Sequence, residues 1–214
     1  MHAGFASFTK HLQHTLHLGT ANSNLPEITE KLGGPIVAQG IAAIFQLGFV
    51  YIMRDAILDA AHAQKAMRFF NDNFVISDPS TNDGQRYYQG KFLLRTKKAG
   101  DNLNVHVEFC KHPEDIFFDS PFGKNINPLK IITTSVIDEK TADRLESDPS
   151  KVDLVIRFKD LASIINLAGK EDVDIVGLLL ENVVQLTGNV GHLFKLGAIA
   201  TDIELSLNLD KQPR

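Results

Sequence analysis

The change of apolar period near Asn71 is the sequence feature that most constrains the fold. Before it, residues 38–70 are mostly good helix formers without proline, which predicts one long helix or two short ones. After it, apolar and polar residues alternate, most clearly at residues 104–109. A period of two predicts a strand with one buried face. We therefore expect a helical N-terminal extension over residues 1–74 and a sheet domain over residues 75–214.

Five strands are predicted in the second part of the chain. Alternation around Phe92 and Leu94, followed by a turn at residues 99–102, places a first strand in a hairpin with the strand at 104–109. β-Branched or alternating runs predict the other three strands, at residues 131–137, 152–159 and 182–187.

The helices of this part are predicted from their ends. Asp160 has the side chain of a helix N-cap, and Gly169 is placed to end that helix in a left-handed conformation. A short apolar helix is expected over residues 173–180, and a final helix starts near Asn189. This order predicts an α+β domain with helices covering one face of a mainly antiparallel sheet.

Charge and cysteine content exclude several classes of function. A net charge of −4 and a pI near 6.0 do not favour nucleic-acid binding, because phosphate recognition needs a basic face. The single cysteine excludes an internal disulfide framework and a cysteine-based zinc cluster. Residues 1–19 lack the apolar core of a secretory signal, so a cytoplasmic location is expected.

An uncharged stretch at residues 33–53 allows two interpretations. Its length just suffices for a membrane-spanning helix. Two glutamines, four glycines and a proline favour instead a buried helix, packed on the domain or on a second subunit. A membrane-docking helix at the lipid–water interface remains the alternative.

Reactive and metal-binding patterns are weak. The HxxHxxH spacing at residues 11–17 has no nearby acid to complete a metal site, so a solvated helix face is favoured. Cys110 and His112 suggest a nucleophile and a base, but no orienting group can be assigned. The GNVG sequence at residues 188–191 can bind an anion at a helix N-terminus, although its first glycine also serves the turn. We predict no catalytic residue, metal or cofactor, and a protein that is not an enzyme.

Residues 152–196 resemble the C-terminal half of the sterol carrier protein type 2 lipid-transfer domain. The matching features are a strand that ends in an acidic helix cap (Phe158, Asp160) and a short helix that ends in Gly169–Lys170. The most specific part is VQLTGNVGHLFKL, residues 184–196. The likeness is good over about the last 60 residues, extends less well over about 125, and has at most a loose counterpart before residue 70.

This resemblance implies a twisted five-stranded sheet with helices on one side and an apolar tunnel between the two layers. Members of the family bind sterols, fatty acids, fatty acyl-CoA or isoprenoid-type lipids, and some relatives are accessory proteins. The final helix often borders the tunnel mouth. For this chain we therefore predict a non-catalytic, lipid-binding or lipid-transfer protein.

Apolar residues on the predicted inner faces are the candidate tunnel wall. Periodicity alone favours a filled core for these residues, whereas the family resemblance favours a cavity wall. The candidates are Phe92, Leu94, Val105, Val107, Phe109, Leu154, Ile156 and Phe158 from the sheet, and Ile164, Ile165, Leu178, Leu179, Leu193, Phe194 and Ile199 from the helices.

Two other functions stay open at this point. The N-terminal helices predict an accessory module that forms a homodimer, or that docks on a membrane or on a lipid-metabolising enzyme. An enzyme acting on a lipid held in the tunnel, with His192 or His106 as base, ranks lowest.

Overall fold

The structure is a computed structural model that describes residues 25–53, 56, 58–168 and 175–209. Its helices are α1 (Leu25–Met53), α2 (Ala60–Phe74), α3 (Pro128–Ile131), α4 (Glu139–Glu146), α5 (Leu161–Ala168), α6 (Ile175–Leu180) and α7 (Gly191–Leu209), with a 3-10 turn at Pro113–Asp115. Its strands are β1 (Val75–Ser77), β2 (Gln85–Tyr87), β3 (Lys91–Thr96), β4 (Asn104–Phe109), β5 (Phe117–Ser120), β6 (Gly123–Ile126), β7 (Ile132–Val136), β8 (Leu154–Phe158) and β9 (Val184–Gly188).

The central sheet has five strands in the order β7-β4-β3-β8-β9. The neighbours pair antiparallel, except for β3 and β8, which run parallel. The predicted α+β class with a mainly antiparallel five-stranded sheet is therefore confirmed. The strands β1 and β2 form a separate two-stranded ribbon, as do β5 and β6. These two ribbons were not predicted, because each strand has only three or four residues, too few to show a clear alternation.

Short-range contacts stabilise several of the predicted strands and helices. The β3–β4 hairpin pairs Leu94 with Val105 and Phe92 with Val107, so the apolar residues of both strands share one face. Asp160 caps α5, since its Oδ1 accepts from the Ser163 N–H at 2.7 Å. The fifth strand begins at Val184 rather than at residue 182, because Asn182 adopts a left-handed turn conformation with φ 56°. Gly169 lies outside the described residues.

Helix α4, which the sequence analysis also missed, covers part of the other face of the sheet. Leu93 lies on the face of β3 opposite to Phe92 and Leu94, yet it is fully buried with Ala142 of α4 and Val155 of β8. Asp138 begins α4 by accepting from the Thr141 N–H at 2.8 Å. Both faces of the sheet are therefore packed: the main apolar core lies on one face, and the smaller cluster with α4 lies on the other.

Helices α1 and α2 belong to the same core as the sheet. Helix α1 lies against β7 and β4 and also contacts α5 and α7. Buried residues of α1 and α2, such as Phe49 and Phe74, lie in one apolar cluster with Val107 and Phe109 of β4. A boundary near residue 75 therefore does not separate two cores.

Helix α1 bends where it meets the sheet. Gly33 has a φ of 69°, which favours glycine, and Pro35 follows within the helix. At Gly34, a Cβ atom would lie 1.5 Å from the carbonyl oxygen of Asp101 in the β3–β4 turn. Helix α1 thus approaches this turn at a position where only a glycine fits.

Within α1, Gly33–Tyr51 is long and apolar enough to cross a membrane by length and composition alone. About 35% of this stretch is buried inside the protein. Buried core helices of soluble proteins pass the same criterion, so this property is weak evidence for a membrane span.

Candidate functional site

The predicted wall residues of the sheet share one face. Strand β3 lies between β4 and β8, so Phe92 and Leu94 each have an apolar partner on both neighbouring strands. All of these side chains are buried in the main apolar cluster: Phe92, Leu94, Val105, Val107, Phe109, Leu154, Ile156 and Phe158. The alternation in the sequence therefore predicted the inner face of the sheet correctly.

The predicted wall residues of the helices differ in how deeply they are buried. Ile164 of α5 and Ile199 of α7 are buried in the same cluster. Three others pack against it while staying partly exposed: Leu178, Leu179 and Leu193. The side chain of Ile165 lies outside the described part of the chain.

Phe194 departs from the predicted set, because it is 59% exposed. Its neighbour Leu193 packs against the core. Consecutive helical residues point about 100° apart, so the two cannot both face the sheet. Phe194 therefore lies outside the packed inner face on which it was expected.

Phenylalanine side chains of α1 and α2 fill the space over β4. The ring of Phe49 lies 6.3 Å from that of Phe109, and the ring of Phe74 lies 5.7 Å from it. Phe69 and Phe70 extend this ring cluster along α2. These residues were assigned to the N-terminal extension, although the i, i+4 spacing of Phe70 and Phe74 was a usable signal for a core-facing stripe. Over β4, the core is therefore filled by protein side chains.

The opposite edge of the same core face is less completely covered. Val105 on β4 and Val184 on the edge strand β9 are buried, whereas Leu186 on β9 is only partly buried. Leu196 on α7 also packs against the core while remaining partly exposed. On this half of the core face, the partly exposed apolar side chain is therefore Leu186 of β9, and α6 contacts the same strand.

A tyrosine–histidine pair marks the beginning of α7. Tyr88 is buried, and its Oη lies 2.7 Å from His192 Nδ1. The two rings stack with their centroids 5.6 Å apart, while Phe92 meets the imidazole edge-on at 6.0 Å. Burial raises the pKa of the Tyr88 phenol, and His192 Nδ1 is the acceptor within the described residues that can satisfy the phenol hydrogen. No local sequence pattern indicates this contact, because 104 residues separate the two side chains.

The N-terminus of α7 offers few free donors for an anion. The Gly191 N–H bonds to Asn189 Oδ1 at 2.9 Å, and the His192 N–H bonds to the Asn189 carbonyl at 3.1 Å. The Leu193 N–H bonds to the Val190 carbonyl at 2.9 Å. Gly188 itself serves the turn: its φ is 112°, and a Cβ there would lie 2.3 Å from the Asp153 carbonyl oxygen. The GNVG sequence thus has a structural explanation.

Cys110 and His112 do not form a nucleophile–base pair. Cys110 is fully buried, and burial raises its pKa to about 12, which disfavours the thiolate. His112 is exposed and lies near Glu114, with 3.5 Å between Nδ1 and Oε1. Among the described residues, no group of three His, Cys, Asp or Glu side chains is arranged to hold a metal ion. The histidines at residues 11–17 lie outside the described residues.

Behind the sheet, Arg95 is the centre of a buried polar network. Its guanidinium donates to Asn104 Oδ1 at 2.9 Å, Asp143 Oδ1 at 2.8 Å and Glu146 Oε2 at 2.6 Å, and also to Glu139. Its side chain is only 4% exposed. These contacts hold α4 on the sheet, which is a structural role.

His106 lies on the same face behind the sheet. Its Nε2 is buried without a hydrogen-bond partner, and burial lowers its pKa, against the opposing effect of Glu108. This nitrogen is therefore enclosed and not presented to a substrate.

The chain has no detected counterpart among known proteins: no family model matches it, and no curated protein or solved structure is significantly similar to it. Two features distinguish the candidate site. They are an incompletely covered apolar face near β9 and an adjoining helix that begins with an ordered Tyr88–His192 pair.

Proposed function

We propose that the protein binds the apolar chain of a lipid against the β8–β9 half of the core face, beside α6 and α7. The supporting observation is the partly exposed apolar surface of Leu186 on β9, Leu178 and Leu179 on α6, and Leu196 on α7. Apolar residues in contact with water gain free energy when a ligand covers them. The resemblance to the sterol carrier protein type 2 domain falls on the same elements, from β8 to α7.

The energy available is sufficient for useful affinity. Each buried CH₂ contributes about 0.8 kcal/mol, so a chain of about sixteen carbons gains on the order of 12 kcal/mol. Association costs about 4–15 kcal/mol, which leaves micromolar to nanomolar binding within reach. No reactive group is needed for this activity.

The ring cluster limits where the ligand lies. Phe49, Phe74 and Phe109 fill the space between α1, α2 and β4. A ligand there would have to displace packed aromatic rings, whereas near β9 it would cover surface that is already open. We therefore place the apolar chain at the β9 edge and not along the whole width of the sheet.

The test is binding of a fatty acid to delipidated protein by isothermal titration calorimetry. We expect saturable binding of palmitate, and loss of that binding in Leu186→Asp, which puts a charge into the proposed site. Leu129→Asp is the matched control, because Leu129 lies on α3 and is 57% exposed. No binding to the wild-type protein, or equal binding to both variants, would contradict the proposal.

A second activity, peripheral docking on a membrane, is favoured by the outer face of α1. Ile36 and Leu47 are 50% and 53% exposed, and no charged residue occurs between Gly33 and Met53. An exposed helix face normally carries charges, so its complete absence here fits contact with an apolar surface. Such docking would bring a lipid-binding protein to its source of lipid.

Vesicle sedimentation tests this docking. We expect wild-type protein to pellet with phosphatidylcholine vesicles, and Leu47→Asp to remain in the supernatant with unchanged thermal stability. Light scattering separates this from homodimer formation: a concentration-dependent dimer that Leu47→Asp abolishes, without vesicle binding, would replace the membrane by a second copy of the chain.

A further inference from the structure

The inner face of α7 carries polar residues as well as apolar ones. Leu196, Ile199 and Ile203 pack into or against the main core. His192 precedes Ile199 by seven residues, and Lys195 precedes it by four, so both lie on this same side of the helix. The side of α7 that faces the core thus begins with an imidazole and, one turn later, an ammonium group.

The environment of His192 fixes which ring nitrogen is free. Tyr88 Oη lies 2.7 Å from Nδ1, and this is the only hydrogen bond of the buried phenol within the described residues, so the phenol hydrogen is satisfied when Tyr88 donates. A neutral imidazole that accepts at Nδ1 carries its hydrogen at Nε2. No hydrogen bond or ion pair engages Nε2 within the described part of the chain. This N–H is therefore an oriented donor without a protein acceptor.

Lys195 is a half-buried cation without a close counterion. No carboxylate of the described residues lies within 4 Å of its Nζ. Asp202 is more distant, and its negative charge opposes the lowering of the Lys195 pKa. Asp202 sits two turns further along α7, where its Oδ2 accepts from the Asn73 amide at 2.9 Å. Burial lowers the pKa of Lys195. An ammonium in this position would gain from an anion placed beside it.

From these contacts we infer that His192 and Lys195 bind the anionic head group, a carboxylate or a phosphate, of the lipid whose chain lies at the β9 edge. Residues three apart on a helix have Cβ atoms about 5–6 Å apart, so both donors can reach one anion. This inference rests on the proposed lipid binding and adds the class of ligand. Neutral lipids such as alcohols should bind through their chains alone.

The experiment compares three ligands with the same chain: dodecanoate, dodecyl phosphate and dodecanol, each titrated calorimetrically into delipidated protein at neutral pH. A charge-assisted contact at this site should give the anions about 10-fold or greater advantage over the alcohol. That advantage should shrink as salt is added. The stronger of the two anions identifies carboxylate or phosphate as the natural head group.

Variants locate the anion site. Lys195→Met should remove most of the preference for anions and leave dodecanol affinity unchanged, while Lys195→Arg should retain the preference. Lys140→Met is the control, because Lys140 is exposed on α4. His192→Gln should weaken the anions in the same direction as Lys195→Met.

The outcomes separate this inference from the function on which it rests. If the three ligands bind equally to wild-type protein, the head-group inference is overturned and lipid binding stands. The same holds if Lys195→Met weakens dodecanol as much as dodecanoate. If none of the three ligands binds, both proposals fail. The comparison in wild-type protein decides the question even if a variant does not fold.

Discussion

Replacing Gly34 by alanine tests the docking of α1 on the sheet. A Cβ at this position would lie 1.5 Å from the Asp101 carbonyl oxygen, which is backbone and cannot rotate away. Helix α1 would have to move outwards and uncover part of Val37 and Ile41, which are 2% and 4% exposed. Full burial of each such side chain contributes about 1.5–3 kcal/mol. We therefore expect Gly34→Ala to lower the free energy of unfolding by about 3 kcal/mol, since overpacking alone costs about 1–3 kcal/mol.

Gly48→Ala in the same helix is the matched control. A Cβ at Gly48 would meet no atom within 4 Å, so this change should raise stability by about 0.5–1 kcal/mol through helix propensity. Urea unfolding followed by circular dichroism measures both free energies. For a chain of this size, the loss at Gly34 corresponds to a fall in Tm of about 6–12 °C. If the two variants differ by less than about 1 kcal/mol, α1 does not contact the β3–β4 turn as described.

Three further predictions concern polar groups. Arg95→Met should cost about 1–3 kcal/mol in urea unfolding, because it leaves the buried Asn104 Oδ1 without its donor, whereas Glu146 keeps its bond to Arg157. Since burial lowers the pKa of His106, the unfolded chain takes up this proton first as the pH falls below about 6.5, and the wild-type protein loses stability there; His106→Gln should flatten that dependence. Tyr88→Phe should cost about 1 kcal/mol through the lost bond to His192, and unchanged stability would show that this bond is not formed.

The sheet was predictable because its signals are local. The alternation in β4 and the turn at Gly100 and Asn102, both with positive φ, lie within a dozen residues of each other. The cap at Asp160 bonds to a residue only three positions away. Such features need no knowledge of the rest of the chain. The five main strands and helix α5 followed from them.

The coverage of the sheet was not predictable, because it depends on distant segments. In the sequence, Leu93 and Arg95 resemble the solvent-exposed side of a strand. In the structure α4 covers them, and its residues that bind Arg95 lie 44–51 positions later in the chain. The polar composition of α4 concealed its one buried residue, Ala142. Likewise, the contact at Gly34 joins α1 to a turn more than sixty residues later. Periodicity reports which faces are apolar but not what covers them.

For the same reason, the sequence could identify candidate wall residues but could not distinguish those in a filled core from those on an open surface. Phe109 on β4 was a wall candidate and Leu186 on β9 was not, although both lie in alternating strands. Rings from α1 and α2 cover Phe109, whereas Leu186 stays partly exposed. The division is therefore set by where α1 docks, and that position is fixed by the close approach at Gly34. It follows that α1 and α2 cannot be removed as a dispensable extension: without them Phe109 would lose its aromatic neighbours on those helices, and the protein would expose the part of its core that is now best packed.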